Sequence, residues 1–386
     1  MNYTFPQIQH YNDILPHITG RDEFVTIEKD GYIAVNYVVA LEETFLWDSN
    51  DSLGSVIRRE CRGLIFDLNW NLISRPYHKF FNVGEKEETQ IHLIDLDQPH
   101  TILQKLDGSM IRPIPIREGF RLATKAGITS VAMNAEVFIA DKLNYSQFIN
   151  KCIQKNTTPI FEWVSRKNRI VIDYPEESLI LTAIRHNKTG EYIAYTTIKT
   201  YAESYNIPVV DVISSENNSP QELIEFVRKW DDNEGVVIRF DNGHMLKIKA
   251  DDYVLRHKSK EQISQEKNVI QIIVTDIVDD VIPLLTPEDT NRLKDFQVKF
   301  WEGVNNLAAK MESLYQEGIS MYPDQKSFAV EFVQRQVDPK FVHIMYSMRG
   351  GTLAKEVISN MITKSTINQT KLNQNRWLWG NHQWNV

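Results

Sequence analysis

Short apolar runs bounded by turn residues fill the first two-thirds of the chain and predict strands. Residues 63–66, 101–103, 159–164 and 179–181 are such runs. Residues 235–240 and 245–248 flank Asp241-Asn242-Gly243, turn residues that tolerate positive φ, so this stretch predicts a hairpin. One helix interrupts the strands. Ser219 is its N-cap, Pro220 suits the first turn and Glu222 completes a capping box, while Leu223, Phe226, Val227 and Trp230 share a face. After about residue 256 the period changes. Leu293, Phe296, Phe300, Val304, Leu307, Met311 and Leu314 recur every three or four positions, one stripe of a long helix. Shorter helical patterns follow at 325–337 and 353–362. The expected fold class is α+β, with antiparallel sheets in a domain over residues 1–255 and a smaller all-helical domain over 256–386. The tail from residue 371 carries Trp377, Trp379 and Trp384 among Asn and Gln. It is expected to lie on the domain surface or stay unstructured, with base stacking as the alternative.

Composition narrows the class without deciding the function. A 42% hydrophobic and 24% charged chain of 386 residues is ordinary for a globular protein, and no apolar stretch is long enough to span a bilayer. No membrane association is expected. Cys61 and Cys152 are the only cysteines and lack metal-ligand spacing, so a reducing, cytoplasmic setting is expected rather than a disulfide framework. The net charge of −8 argues against indiscriminate nucleic-acid binding. A local basic groove stays open, since cations cluster at Arg58, Arg59 and Arg62, at Arg166, Lys167 and Arg169, and at Lys247 and Lys249.

The leading chemical signal is Lys105-Leu106-Asp107-Gly108-Ser109, directly after an apolar strand. A lysine amine can attack the α-phosphorus of ATP and expel pyrophosphate, leaving a phosphoamide-linked AMP. That chemistry needs a neutral amine. Holding any lysine neutral at about pH 7.5, against a reference of ~10.4, takes roughly 4 kcal/mol of environmental bias from burial and nearby cations. Gly108 lets the backbone turn closely around a nucleotide, and Asp107 is a candidate to orient the lysine or the ribose.

Further motifs follow in order: Glu60-Cys61-Arg62-Gly63, Ser74-Arg75-Pro76, Lys79-Phe80-Phe81-Asn82, Lys125-Ala126-Gly127, Phe161-Glu162-Trp163-Val164, Glu234-Gly235-Val236-Val237, and Lys247-Ile248-Lys249 with Asp252-Tyr253. This series resembles the RNA ligase 1 family of T-even bacteriophages, within the covalent nucleotidyltransferases. The resemblance implies a nucleotidyltransferase N-terminal domain (ATP-grasp-like antiparallel sheets) and Lys105 as the residue that carries AMP. It implies that Arg62, Lys79, Lys247 and Lys249 contact phosphates. Lys247 and Lys249 share a strand face, so both can enter one site. Glu162 and Glu234 would serve the ribose, the nucleotide and the metal, an ion pair such as Glu162 with Arg169 being the structural alternative. Tyr37 and Lys125 match nucleotide contacts, against a packed tyrosine and a solvated lysine. Mg²⁺ is the implied ion, with Asp279 as a candidate ligand or else a surface aspartate. The sequence departs from the phage pattern at Leu106, at the more basic Ser165-Arg166-Lys167, and in its tryptophan-rich tail.

By resemblance the activity is ATP-dependent joining of a 5′-phosphate to a 3′-hydroxyl on RNA, through lysyl-AMP and RNA-adenylate intermediates. Cleaved tRNA is the family precedent, read by the helical domain, with a separate end-healing kinase or phosphatase as partner. A monomer is expected. The alternative is a nick-sealing polynucleotide ligase acting on duplex or bridged ends.

Overall fold

The computed structural model describes residues 4–29, 31–41, 43–214 and 219–385. The chain divides into two units, Met1–Val254 and Leu255–Val386. In the first, twelve strands among the described residues form three four-stranded sheets. One sheet has the order β1 (Phe24–Lys29), β2 (Tyr32–Tyr37), β3 (Leu64–Phe66), β4 (Leu72–Ser74). In chain order the rest are β5 (Phe81–Asn82), β6 (His100–Lys105), β7 (Ser109–Ile116), β8 (Gly119–Ala123), β9 (Thr157–Val164), β10 (Ser178–His186), β11 (Gly235–Phe240) and β12 (Met245–Lys249). They build a second sheet, β10-β9-β7-β8, and a third, β5-β12-β11-β6. All pairings are antiparallel except β12 with β5.

Each anticipated strand is present, and the Asn242-Gly243 turn joins β11 to β12. The helix Pro220–Arg228 begins where its cap predicts, with Ser219 Oγ accepting from the Glu222 amide at 3.2 Å. It does not stand alone, however. Ser52–Glu60, Ser130–Ile139, Leu143–Gln154 and Tyr195–Ser204 are also helical. In Leu143–Gln154 the buried residues Tyr145, Phe148, Ile149 and Cys152 recur at helical spacing and pack on Phe161 and Leu181 of the second sheet.

Among the described residues of the second unit every secondary-structure element is a helix. The long helix Pro287–Met321 buries Leu293, Phe296, Phe300, Val304 and Met311 along one stripe, as the period predicts. The tail does not lie on the surface. Trp379 and Trp384 are core residues, and the Trp384 indole donates to the Ile263 carbonyl at 2.8 Å. Burying two tryptophans removes enough apolar area from water to override the polar composition around them. No helix among the described residues is long and apolar enough to cross a membrane.

Candidate active site

Two lysines and a carboxylate meet where three strands of the third sheet end together. Gly235 opens β11 and is the register partner of Lys105 on β6 and of Lys249 on β12. Directly paired residues share a sheet face, so both lysines emerge beside Glu234. Lys105 Nζ lies 2.7 Å from Glu234 Oε2, and Lys249 Nζ lies 3.1 Å from Oε1. The Glu234 side chain is only 5% exposed, so the pair of ammonium groups is what makes its charge tolerable there. Gly235 has φ +138°, and a Cβ at this position would stand 2.0 Å from the Ile248 carbonyl oxygen. Only glycine permits β11 and β12 to approach this closely at the rung that sets the lysines.

A cavity of about 300 Å³ opens over that face. The third sheet lends it Lys105, Lys247 and Lys249, the second sheet and the turn before it Gly108, Met110, Glu162 and Thr182. Tyr37 and Arg62 enter from the first sheet and its approaches, and Tyr77, Lys79 and Phe80 from the segment before β5. Lys247 Nζ sits 5.4 Å from the Phe80 ring centre. Burial, reinforced by the Lys79 and Lys105 cations, pulls the Lys247 amine down to about 7. Across the cavity, Glu162 on β9 stands in register with Met110. Burial pushes its carboxyl up to about 8, the cation of Lys105 opposing and the charge of Glu234 adding to the rise. Lys125 lies 4.1 Å from the Tyr37 ring centre and Lys79 5.9 Å from it. Burial disfavours the Tyr37 phenolate, but Arg62, Lys79 and Lys125 together outweigh it and lower the phenol from its usual value.

Asp107 has a more specific place than a general contact with lysine or ribose. It is 2% exposed, and its Oδ2 accepts from the Val171 and Ile172 amides, both at 2.7 Å. The Tyr253 hydroxyl donates to Oδ1 at 2.7 Å, and the Asp107 amide donates to the Tyr174 hydroxyl at 3.0 Å. Both carboxylate oxygens therefore hold the turn that carries Lys105. At Gly108 a Cβ would lie 2.4 Å from the Trp163 carbonyl oxygen, so this turn also needs glycine to lie against β9.

The structure thus gathers Tyr37, Arg62, Lys79, Lys105, Gly108, Glu162, Lys247 and Lys249 around one cavity, with Lys125 and Glu234 in contact with members of that set and Asp107 holding the turn between Lys105 and Gly108. Asp279 belongs to the second unit, where it is exposed in the first turn of the short helix Val278–Val281. Among the described residues no group of three or more His, Cys, Asp or Glu is arranged to hold a metal ion. Sequence reasoning passed over Tyr77, Thr182 and Arg239, which also line the cavity. Arg239 was legible, being two residues beyond Val237 on the hairpin face that carries the lysines. Tyr77 and Thr182 come from an irregular segment and from a break in the β9–β10 register, which no periodicity marks.

The motif residues Glu60 and Arg75 serve the fold. Glu60 is buried and takes Arg75 Nε at 3.1 Å and Arg185 Nη2 at 2.6 Å. Burial alone would raise its carboxyl, and the two guanidinium groups instead bring it to about 2. This cluster ties the helix Ser52–Glu60, which leads to Arg62, to β10.

Residues 60–263 match the family described as RNA ligase. A candidate RNA ligase of Thermovibrio ammonificans is 24% identical over 315 residues, covering 78% of this chain and 79% of that protein. The RNA ligase of Rhodothermus phage RM378 is 23% identical over 347 residues, covering 72% of this chain and 78% of that protein. Among solved structures, an archaeal ATP-dependent RNA ligase is similar at 15% identity and a TM-score of 0.46, over 65% of this chain and 64% of that one.

Proposed function

The chain belongs to the RNA ligase family of the phage T4 RNA ligase 1 type, an ATP-dependent enzyme class, and we propose that Lys105 is the residue it adenylylates. The observation that carries this reading is the Lys105–Glu234–Lys249 cluster at a cation-lined cavity. Lys105 Nζ attacks the α-phosphorus of ATP. A P–N bond forms, the bond to the bridging oxygen breaks, and pyrophosphate leaves. Glu234, 2.7 Å from Nζ, is placed to take the proton the amine must lose. Lys249, Lys247 and Lys79 surround the path of the phosphates with positive charge that offsets charge developing on the leaving group. AMP then passes to an RNA 5′-phosphate. A 3′-hydroxyl displaces it, and a 3′–5′ phosphodiester remains.

The donor set fits a Mg²⁺ ion that arrives with the triphosphate. Glu162 lines the cavity and Glu234 pairs with the cavity-lining Lys105, and magnesium commonly takes one or two carboxylates, keeping phosphates and waters as its other ligands. Such an ion would shield the triphosphate during attack. Single-stranded RNA ends, cleaved tRNA among them, are the proposed substrate, with the helical unit taking part in their choice.

The test is incubation with α-³²P-ATP and Mg²⁺, followed by denaturing electrophoresis of wild type beside Lys105→Ala. Label on wild type alone supports the assignment, and label on the variant refutes it. Preferential joining of splinted over single-stranded ends would favour the nick-sealing alternative.

A further inference from the structure

The cavity floor is built in rungs across β6, β11 and β12, and each rung has its own chemistry. Lys105 and Lys249 flank Gly235, Leu103 and Lys247 flank Val237, and Thr101 and Met245 flank Arg239. Alternate residues of a strand share a face, so Val237 and Arg239 line the same cavity as the lysines. From Gly235 to Arg239 the strand advances about 13 Å at ~3.3 Å per residue. That span is on the order of the length of a nucleoside monophosphate. A nucleotide with its α-phosphorus at Lys105 and its body along this floor crosses the apolar Leu103–Val237 rung. Its base then ends at the rung of Arg239 and Met245.

Arg239 carries an unmet hydrogen-bonding capacity there. It is 7% exposed, and its Nη2 donates to the Ile193 carbonyl. Nη1 is buried with no partner among the described residues. A buried guanidinium N–H without an acceptor is costly, and such groups persist where something else completes them. Arg239 also borders a second cavity beside Phe5 and Asn242, but its rung is continuous with the lysine-bearing floor.

We propose that Arg239 reads the base of the nucleotide loaded onto Lys105, by donating from Nη1 to a ring-nitrogen acceptor of the purine. This rests on the assignment of Lys105 made above. It makes Arg239 a specificity determinant placed away from the reacting phosphorus, so its loss weakens nucleotide capture more than it slows the attack.

The experiment measures Lys105 adenylylation at varied concentrations of ATP and of 1-deaza-, 3-deaza- and 7-deaza-ATP, in wild type, Arg239→Met and Arg239→Lys. Wild type is expected to lose roughly tenfold or more in kcat/KM with one of the three analogues, as for a hydrogen bond to a charged donor. Arg239→Met is expected to lose a similar factor with ATP, mainly through KM, and nothing further with that analogue. The proposal is overturned if wild type treats all three analogues as it treats ATP. It is equally overturned if Arg239→Met keeps the wild-type discrimination. Should Arg239→Met fail to fold, the wild-type analogue series and Arg239→Lys still decide the question. Absence of label on wild type with ATP itself would instead refute the reading of Lys105.

Discussion

Glu162 shows how one residue can be costly to the fold and useful to the site. It faces a cavity rich in cations, yet burial holds its carboxyl up at about 8 from an ordinary 4.5. A raised carboxyl contributes stability that is complete below the unfolded value and lost as the pH climbs through the folded value. Between about pH 4.5 and 8 the unfolded chain ionises here while the folded site still holds its proton, so wild-type stability falls across that window. Lys247 has the opposite sign. Its amine is lowered to about 7, so its penalty is present below that pH and fades above it. Glu162→Gln removes the first effect and leaves the second. The expected outcome is a variant that gains on wild type as the pH rises from 5 to 8, by a few degrees of Tm at about 2–4 °C per kcal/mol. Thermal unfolding at both pH values checks it, and a constant difference would place the proton elsewhere. Beside Glu162, Asp107 shows what residue-type reasoning leaves open. Its motif is plain in the sequence, but its partners are backbone amides 64 and 65 positions away, which only the folded chain brings near.

At the scale of elements, the spacing of β11 from β12 governs the site, because one rung places Lys105, Glu234 and Lys249 together. Gly235→Ala should therefore be far costlier than an alanine at another glycine of positive φ. At Gly235 the strain of φ +138° adds to a Cβ 2.0 Å from the Ile248 carbonyl oxygen. At Gly119, which opens β8, φ is +102° and no heavy atom lies within 4 Å of an added Cβ, its chain neighbours aside. Gly119→Ala is expected to cost about 1–2 kcal/mol from strain alone, and Gly235→Ala at least about 3 kcal/mol with loss of Lys105 labelling. Urea unfolding of the two variants decides, and equal costs would mean that β11 and β12 move apart freely. The same elements explain what was legible beforehand. The hairpin announces itself because its turn residues and its alternation agree, and the Pro220–Arg228 helix because its cap is strong. The helix Ser130–Ile139 has small buried residues, Ala132 and Ala135, so its apolar stripe is faint and tertiary packing supplies what the pattern lacks. Lys247 and Lys249 could be read onto one face from spacing alone, whereas Tyr77 reaches the cavity from a segment with no period.

At the scale of the molecule, the lysine-lined cavity proposed for adenylylation lies within Met1–Val254, whereas the tail belongs to the core of Leu255–Val386. Trp384 is 5% exposed, its ring centre stands 5.5 Å from that of Phe296, and its amide donates to Glu266 at 3.1 Å. Glu266 also pairs with Arg376, so the tail is stitched to the helix Glu266–Val274 through one buried carboxylate. Trp384→Ala leaves a large cavity and strands the Ile263 carbonyl, an expected loss of about 3–5 kcal/mol from the helical unit. Because the two units have separate cores, that loss should fall on the second alone. Labelling of Lys105 by ATP is then retained while joining of RNA ends declines, and the two assays run on one preparation separate these effects. Simultaneous loss of both activities, with the first unit still folded by circular dichroism, would make the helical unit a participant in the first chemical step rather than in the handling of RNA.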